Sequence, residues 1–448
     1  MYKLSEYNFF VPLNKGKKFV IYNTISNALI ESDVEQVELL KSLIGSNSLD
    51  NLKDLFNDNI DLLIKDGIFI STEVDEKELI KNRTIQLRRD FDSSKFLYIT
   101  ICPTNACNLR CIYCFEKEKG EKVIENNNSS DIINYIESII KEQSNIQTLD
   151  IMWYGGEPLM NFKYIEDISE KLILLANKFE KEYKAGIITN GTLLSQEIID
   201  RFEQLKISDV QISIDGGKSS HNKKRIYKEG KGTYDVILKN ASLLPKKLKT
   251  TIRIHCDTIV LNSLNELFSD LEKHGIWPQR AGFVTLNLAN LKSDGNISEG
   301  EFFKAREFFR IMQLRYYNRW ARNNNVKQAG LKVKYPSIMT PFCGTASSVN
   351  GCVIDDKGYA SKCFEDVYCK DKNAFHLKDK NSKNNNYTNY VDYNKFTSDI
   401  KCNNCKIMPI CETNCIKLHL ENKVSCSEWK YLLPYHLKKY YLREFTNK

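Results

Sequence analysis

No stretch of this 448-residue chain approaches the ~18 consecutive apolar residues that a membrane-spanning helix needs. That absence excludes a helical membrane protein. The opening MYKLSEYNFFVPLNKG also lacks the basic-then-apolar order of an export signal. A soluble, cytoplasmic protein with no membrane partner is the expectation. No charge sign dominates: 65 Lys and Arg stand against 57 Asp and Glu, a net +8. This mild excess suits an acidic peptide partner and does not indicate nucleic acid. Cysteine is missing from residues 1–80 and nearly missing from the middle of the chain, where Cys256 stands alone. Fourteen cysteines in a short secreted chain would suggest a disulfide scaffold. In a long, Lys-rich chain without an export signal, gathered into two clusters, they read as metal ligands.

The first cluster is Cys107-Asn-Leu-Arg-Cys111-Ile-Tyr-Cys114, directly after the apolar run FLYITIC at Phe96–Cys102. Neighbouring thiolates repel one another unless a cation joins them, so this density points to a soft metal. A cysteine-held four-iron cluster normally takes four thiolates. Three leave one iron with an open position, which is how a catalytic metal site differs from a structural one. A zinc knuckle is the plainer reading of the loop alone.

The surrounding pattern favours chemistry. From residue 95 to 290, apolar strand-like runs alternate with amphipathic helical ones, as in a βα-repeat barrel. Strands are expected at Phe96–Ile101, Leu149–Trp153, Gly186–Ile188, Val210–Ile214, Thr251–His255 and Gly282–Leu286. Helices are expected at Asp131–Lys141, Ile165–Tyr183, Gln196–Gln204, Tyr234–Leu243 and Leu264–His274. Active sites of such barrels lie at the C-terminal strand ends. There the chain carries Tyr154-Gly155-Gly156-Glu157-Pro158, Thr189-Asn190-Gly191-Thr192 and Ser213-Ile214-Asp215-Gly216-Gly217, followed by His221-Asn-Lys-Lys-Arg225. Paired glycines let a ligand approach the backbone, and Glu157 can accept from an ammonium. Ser213 and Asp215 can bond ribose hydroxyls, and the Arg225 fork matches a carboxylate. Arg253 and His255 either face the interior or serve core and surface roles, and lone Cys102 and Cys256 read as small buried hydrophobes.

Cys-x-x-x-Cys-x-x-Cys with Tyr113 before the last cysteine, followed by these strand-end motifs, resembles the radical S-adenosylmethionine (SAM) enzymes. The resemblance implies a [4Fe-4S] cluster on Cys107, Cys111 and Cys114, whose open iron chelates SAM. One electron then splits SAM to methionine and a hydrogen-abstracting 5′-deoxyadenosyl radical. It also implies SAM contacts from Tyr113, Gly155, Gly156, Glu157, Asn190, Ser213, Asp215 and Arg225.

The second cluster holds Cys343, Cys352, Cys363, Cys369, Cys402, Cys405, Cys411, Cys415 and Cys426. A zinc ribbon is the plain alternative. The order Cys343, Gly358, Cys363, Cys402, Cys405, Cys411, Cys415, Cys426 is similar to the SPASM domain of radical SAM enzymes, which binds two auxiliary [4Fe-4S] clusters. The likeness implies Cys402, Cys405, Cys411 and Cys426 on the outer cluster and Cys343, Cys363 and Cys415 on the inner one. Counting outward from the turn Asp355-Asp356-Lys357-Gly358 places Cys352 opposite Cys363 as a candidate fourth inner ligand, with Cys369 weaker and an open iron the remaining alternative.

Residues 1–80 read as three strands (Phe9–Leu13, Phe19–Tyr22, Asn27–Ile30), amphipathic helices through Val34–Leu43 and Leu52–Phe56, a helix at Asp61–Lys65 and a strand at Ile68–Ile70. This pattern resembles the winged-helix-like domain that adds a leader peptide to its sheet in ribosomal-peptide-modifying enzymes. A structural cap is the alternative.

The expected architecture is therefore α/β: a winged-helix-like peptide-recognition domain (1–80), a helical linker (81–94), a partial (β/α)6 TIM-like barrel (95–325) and a SPASM domain (326–448). The expected activity is radical SAM maturation of a ribosomally made precursor peptide, of sactisynthase or ranthipeptide-synthase type. It would use three [4Fe-4S] clusters, SAM and an electron donor such as flavodoxin or ferredoxin, and would most often install a Cys thioether. Carbon–carbon crosslinking, anaerobic sulfatase maturation and a non-catalytic zinc-ribbon protein are the alternatives. The sulfatase maturases carry an aspartate directly after a cluster cysteine, where this chain has Phe364.

Overall fold

The computed structural model describes residues 1–448 except 14–15, 44, 58, 93–94, 117–118, 122, 124–127, 281, 292–334, 339–342, 395–399, 412–414, 422–425, 428 and 446–448. Residues 301–323, whose sequence reads as a long basic-aromatic helix, lie outside the described residues. Contacts divide the chain into two compact units, residues 1–92 with 332–342 and 393–448, and residues 93–331 with 343–392.

The first unit opens with β1 (Tyr2–Leu4), β2 (Asn8–Leu13), β3 (Lys18–Asn23) and β4 (Leu29–Asp33), then α1 (Val34–Ser42), α2 (Leu49–Phe56), α3 (Asn59–Lys65), β5 (Phe69–Ser71) and α4 (Glu76–Asp92). β2, β3 and β4 form an antiparallel sheet, and β1 pairs with β5. The last strand begins later than expected because Asn27 takes the left-handed conformation at φ 63° and turns the chain first. Asp33 and Ser48 start the next two helices by accepting from Gln36 N at 2.8 Å and Asn51 N at 3.1 Å. One face of the sheet buries Ile21 with Val37, Leu40, Leu52 and Phe56 of the helices.

The second unit contains β6 (Phe96–Ile101), α5 (Ser129–Glu142), β7 (Thr148–Trp153), α6 (Phe162–Lys178), β8 (Glu182–Thr189), α7 (Gln196–Asp200) and β9 (Ile207–Ser213). It continues with α8 (Lys218–Asn222), α9 (Tyr234–Leu243), β10 (Lys249–Cys256), α10 (Thr258–Asn262), α11 (Leu264–Lys273) and β11 (Val284–Asn290). β6 to β11 are parallel and paired in chain order. They are the six strands of the expected partial barrel. Alternate residues of these strands, such as Ile99, Ile151, Ile212 and Ile254, are buried in one core with Ile132, Ile165, Ile237 and Leu267 of the helices. The opposite face remains free to line a site.

Three expected bounds move. α6 ends at Lys178, and Tyr183 belongs to β8, because Glu180 adopts φ 54° and reverses the chain. A left-handed glutamate carries no glycine or proline signal. α7 is shorter than expected for the same kind of reason, with Lys206 at φ 55° before β9. β11 begins two residues later than expected.

Beyond β6 the sheet continues with β12 (Cys352–Ile354), β13 (Tyr359–Ser361) and β14 (Phe375–His376), and α12 (Asn385–Val391) closes this unit. β12 pairs parallel with β6 and antiparallel with β13. Their turn is held by Asp355, whose Oδ1 accepts from Lys357 N and Tyr359 N, both at 2.9 Å, with Gly358 at φ 88°. The register matches Val353 with Ser361, so Cys352 faces Lys362 and not Cys363. A one-residue offset puts two side chains on opposite faces. Cys352, the candidate fourth inner ligand, is fully buried in the core, its thiol 3.8 Å from Tyr135 Oη.

The first unit ends with α13 (Ile400–Asn403), α14 (Ile416–Leu420) and α15 (Trp429–Glu444). Ile407, Ile410, Trp429, Leu433 and Leu437 pack on Val11, Leu13, Val20 and Tyr22, covering the second face of the N-terminal sheet. Among the described residues no helix is long and apolar enough to cross a membrane.

Candidate active site

At the C-terminal ends of β6 to β10 a cavity of about 450 Å³ is lined by Cys107, Cys111, Cys114, Tyr113, Gly155, Gly156, Asn190, Ser213 and Arg225. These are nine of the residues expected from sequence. A larger hollow of about 670 Å³ at the opposite strand ends, around Phe202 and Leu248, gathers no thiols.

The cysteine loop is held by backbone on two sides. Gly156 N donates to Thr104 O at 3.1 Å and Glu157 N to Ala106 O at 2.8 Å. A Cβ on Gly156 would stand 2.3 Å from Ala106 O, so only glycine permits this approach. On the other side Arg110 N donates to Ile226 O at 2.8 Å and Ile112 N to Lys224 O at 3.1 Å. Lys224 forms a buried ion pair with Asp257, which also caps α10 by accepting from Val260 N at 2.8 Å. Asn108 ties the loop to the β8 end: Asn190 Nδ2 donates to its Oδ1, and its Nδ2 donates to Thr192 Oγ1, both at 2.9 Å.

Two expected SAM contacts stand one layer behind the wall. The Glu157 side chain is fully buried, accepting from Thr189 Oγ1 and Asn190 N at 2.7 Å and from Leu159 N at 3.1 Å. It clasps the β8 loop and does not reach the cavity. Asp215 is also fully buried; it accepts from Tyr113 Oη and, through Oδ1, from His255 N at 2.9 Å and Nδ1 at 3.2 Å. Burial, the largest influence, opposes its ionisation, but His255 and Arg225 together hold the carboxyl well below its ordinary range. Arg225 Nη1 donates to Tyr113 Oη at 2.8 Å, while its buried Nε has no partner among the described residues.

Sequence reasoning missed the role of His221. It is fully buried. Asp215 N donates to its Nδ1 at 3.1 Å, so the ring proton must sit on Nε2, which donates to Thr233 Oγ1 at 2.9 Å. The Thr233 hydroxyl passes its own proton to Arg225 O at 2.8 Å. A neutral imidazole thus ties the Asp215 turn to the Arg225 segment. Burial pushes its pKa down to about 3, with Arg225 adding to the effect. An unfolded chain protonates this imidazole near pH ~6.5, and the folded one stays neutral far below that. The unfolded state therefore binds more protons through this window, and stability falls as pH drops from ~6.5 towards ~3, by on the order of 5 kcal/mol in total. Urea titrations between pH 7 and 4 should show a shallower acid-side loss for His221→Gln than for the native chain. Parallel curves would remove this assignment.

Other wall residues were unassigned by sequence: Glu116, Lys119, Tyr154, Gln211, Arg253, His255, Phe364 and Glu365. For Gln211, Arg253 and His255 the signal is alternation along β9 and β10; the other five lie outside these strands. Burial pushes the Glu116 carboxyl up to about 7, and its Oε1 has no partner among the described residues. Lone Cys102 and Cys256 are buried, as expected.

Burial also pushes the Cys107 thiol up to about 11. Three ionised thiols at this wall therefore need a cation. Among the described residues no three Cys, His, Asp or Glu side chains could hold a single metal ion. A four-iron cluster spreads its thiolates over separate irons, and the three thiols of this loop suit three of the four. Of the second set, Cys402, Cys405, Cys411, Cys415 and Cys426 belong to the first unit, and Cys343, Cys363 and Cys369 to the second. Cys402, Cys405 and Cys411 pack on the apolar clusters of the N-terminal sheet, and Lys430 Nζ stands 3.5 Å from Cys426 Sγ.

A parallel sheet with a three-thiol loop after its first strand defines a class, and residues 101–261 match the radical SAM superfamily. The enzymes of that superfamily use a [4Fe-4S] cluster and SAM. The chain is 32% identical over 163 residues to a serine-type anaerobic sulfatase-maturating enzyme of Bacteroides thetaiotaomicron, covering 34% of this chain and 37% of that one. It spans less than half the length of several curated relatives that it matches. Its fold is similar to anSMEcpe with bound AdoMet and Cp18Cys peptide (TM-score 0.55, 18% identity, 79% of this chain and 99% of that one). It is also similar to Streptococcus suis SuiB bound to precursor peptide SuiA (TM-score 0.50, 18% identity, 94% and 97% of the two chains). At such identities the likeness concerns the fold alone.

Proposed function

We infer that this chain is a radical SAM peptide maturase that installs a crosslink, most often a Cys thioether, in a ribosomally made precursor. The observation that carries the reading is one cavity holding Cys107, Cys111 and Cys114 beside Tyr113 and Arg225 at the ends of parallel strands. When bound, the cluster and SAM supply a hydrogen-abstracting radical. The protein's own groups do the positioning. Arg225 offers its unpaired Nε and remaining N–H groups to the SAM carboxylate, Asp215 holds Arg225 and Tyr113 in register, and Ser213 faces the ribose. Cys402, Cys405, Cys411 and Cys426, all of the first unit, serve an auxiliary cluster. A flavodoxin or ferredoxin supplies electrons.

The structural neighbours with bound peptides support a peptide substrate. The N-terminal sheet has a free edge for the leader among the described residues. β2 carries Pro12, which has no N–H to offer, whereas β4 (LIESD) has none missing. Asn23 N donates to Ala28 O at 3.1 Å, and the ladder alternation from that bond turns the Glu31 N–H outward. Sulfatase maturation is the second reading, because Glu365 places a carboxylate on the cavity wall two residues after Cys363.

Two measurements test the reading. Anaerobically prepared protein should contain iron and sulfide and form deoxyadenosine from SAM, and mass spectrometry of a co-expressed peptide encoded beside this gene should show loss of two hydrogens at a cysteine. Zinc in place of iron would sink the enzyme reading, and cysteine oxidised without crosslinking would favour the second one. Glu31→Pro should weaken leader binding at least about tenfold relative to Glu31→Ala, which loses the same side chain but keeps the N–H. Equal binding by the two variants would leave this domain a structural cap.

A further inference from the structure

We propose that Arg253 anchors a carboxylate of the peptide substrate, so that the site takes a segment with an acidic side chain, or a C-terminal carboxylate, next to the reacting carbon. The proposal rests on the peptide-modifying reading above and names its substrate class.

The strand itself sets the position. β10 buries Thr250, Ile252, Ile254 and Cys256 and leaves Thr251, Arg253 and His255 on the other side. Register places Arg253 between Ser213 of β9 and Asn287 of β11. The thiol loop, the glycine pair and the Asn190 loop follow β6, β7 and β8, and Ser213 ends β9. Groups assigned to the cluster and SAM therefore run as far as β9. Arg253 lies on the same cavity wall one strand further, where a second reactant has room.

Among the described residues no carboxylate forms an ion pair with Arg253. Its hydrogen bond runs from Nη1 to Asn287 Oδ1 at 2.8 Å, a neutral amide oxygen. Asp215 is the carboxylate whose charge favours the guanidinium, but both Asp215 oxygens are committed to Tyr113 and His255. Burial lowers the pKa of Arg253, so its charge is carried at a cost that an incoming anion would relieve. Arg225 differs, since Cys111, Tyr113 and Asp215 outweigh burial and raise its pKa well above the ordinary value. A guanidinium presents a planar fork of donors that a carboxylate fills with two parallel bonds. The net charge of +8 acts in the same direction at long range.

The test uses the cluster-loaded full chain at saturating SAM and three synthetic peptides. One is N-acetyl Gly-Cys-Gly-Glu-Gly amide, the second has glutamate replaced by glutamine, and the third is the glutamine peptide with a free C-terminal carboxylate. Equilibrium binding should favour a carboxylate-bearing peptide over the glutamine amide by about tenfold. The arm that gains identifies side chain or terminus as the source. In Arg253→Gln the ratio should collapse to about one, and in Arg253→Lys, which keeps the charge without the fork, it should fall severalfold. Equal binding of all three peptides by the native chain, or an unchanged ratio in both variants, would overturn the proposal. Deoxyadenosine formation by the native chain without any peptide is read alongside; its absence overturns the radical reading and not this assignment.

Discussion

Replacing Cys107, Cys111 and Cys114 together by alanine is expected to reduce deoxyadenosine formation from SAM to background while iron bound by the C-terminal cysteines remains. The three side chains line one wall, and burial, the largest influence, pushes the Cys107 thiol up to about 11. Their ionised form therefore depends on the metal, and the metal on them. Cys402, Cys405, Cys411 and Cys426 belong to the other compact unit and touch none of the substituted positions in sequence. Iron content should thus fall only by the share of one cluster, and the visible absorbance should fall in proportion. Undiminished SAM cleavage would contradict the site assignment. Complete loss of iron would mean that the C-terminal cysteines do not hold clusters of their own.

Lys224→Met is expected to destabilise the second unit by about 3–5 kcal/mol, because it leaves the Asp257 carboxylate buried without its partner. Both side chains are almost completely buried, so solvent screens the pair little. Lys224 also accepts Ile112 N with its own carbonyl, which holds the cysteine loop. The substitution should therefore lower SAM cleavage as well as the urea midpoint. Adding Asp257→Asn removes the orphaned charge yet keeps an oxygen to accept from Val260 N, and should recover most of both losses. A single substitution costing under about 1 kcal/mol would place this pair among the ordinary surface ion pairs.

The route from sequence to fold was short for the barrel and longer elsewhere. Ile99, Ile151, Ile212 and Ile254 alternate with smaller or polar neighbours, and that period alone orders the parallel strands on one core. Strand and helix ends were harder. Asn27, Glu180 and Lys206 all turn the chain with positive φ, and none is a glycine. Their conformation is paid for by packing around them, which local propensity does not contain.

Cys107, Cys111 and Cys114, the paired glycines and the polar strand ends were legible in the sequence, because short spacings and parallel strands suffice to bring them to one end of a sheet. The tertiary structure alone decided what each polar group does there. It packed the Glu157 and Asp215 side chains among backbone and side-chain donors, made His221 a link between Asp215 and Arg225, and put Arg253 on the cavity wall. It also moved Cys352 into the core by a register offset of one residue. Motif spacing reports which chemistry is present. Hydrogen-bond partners and the facing of side chains depend on contacts across distant parts of the chain, which no local pattern encodes.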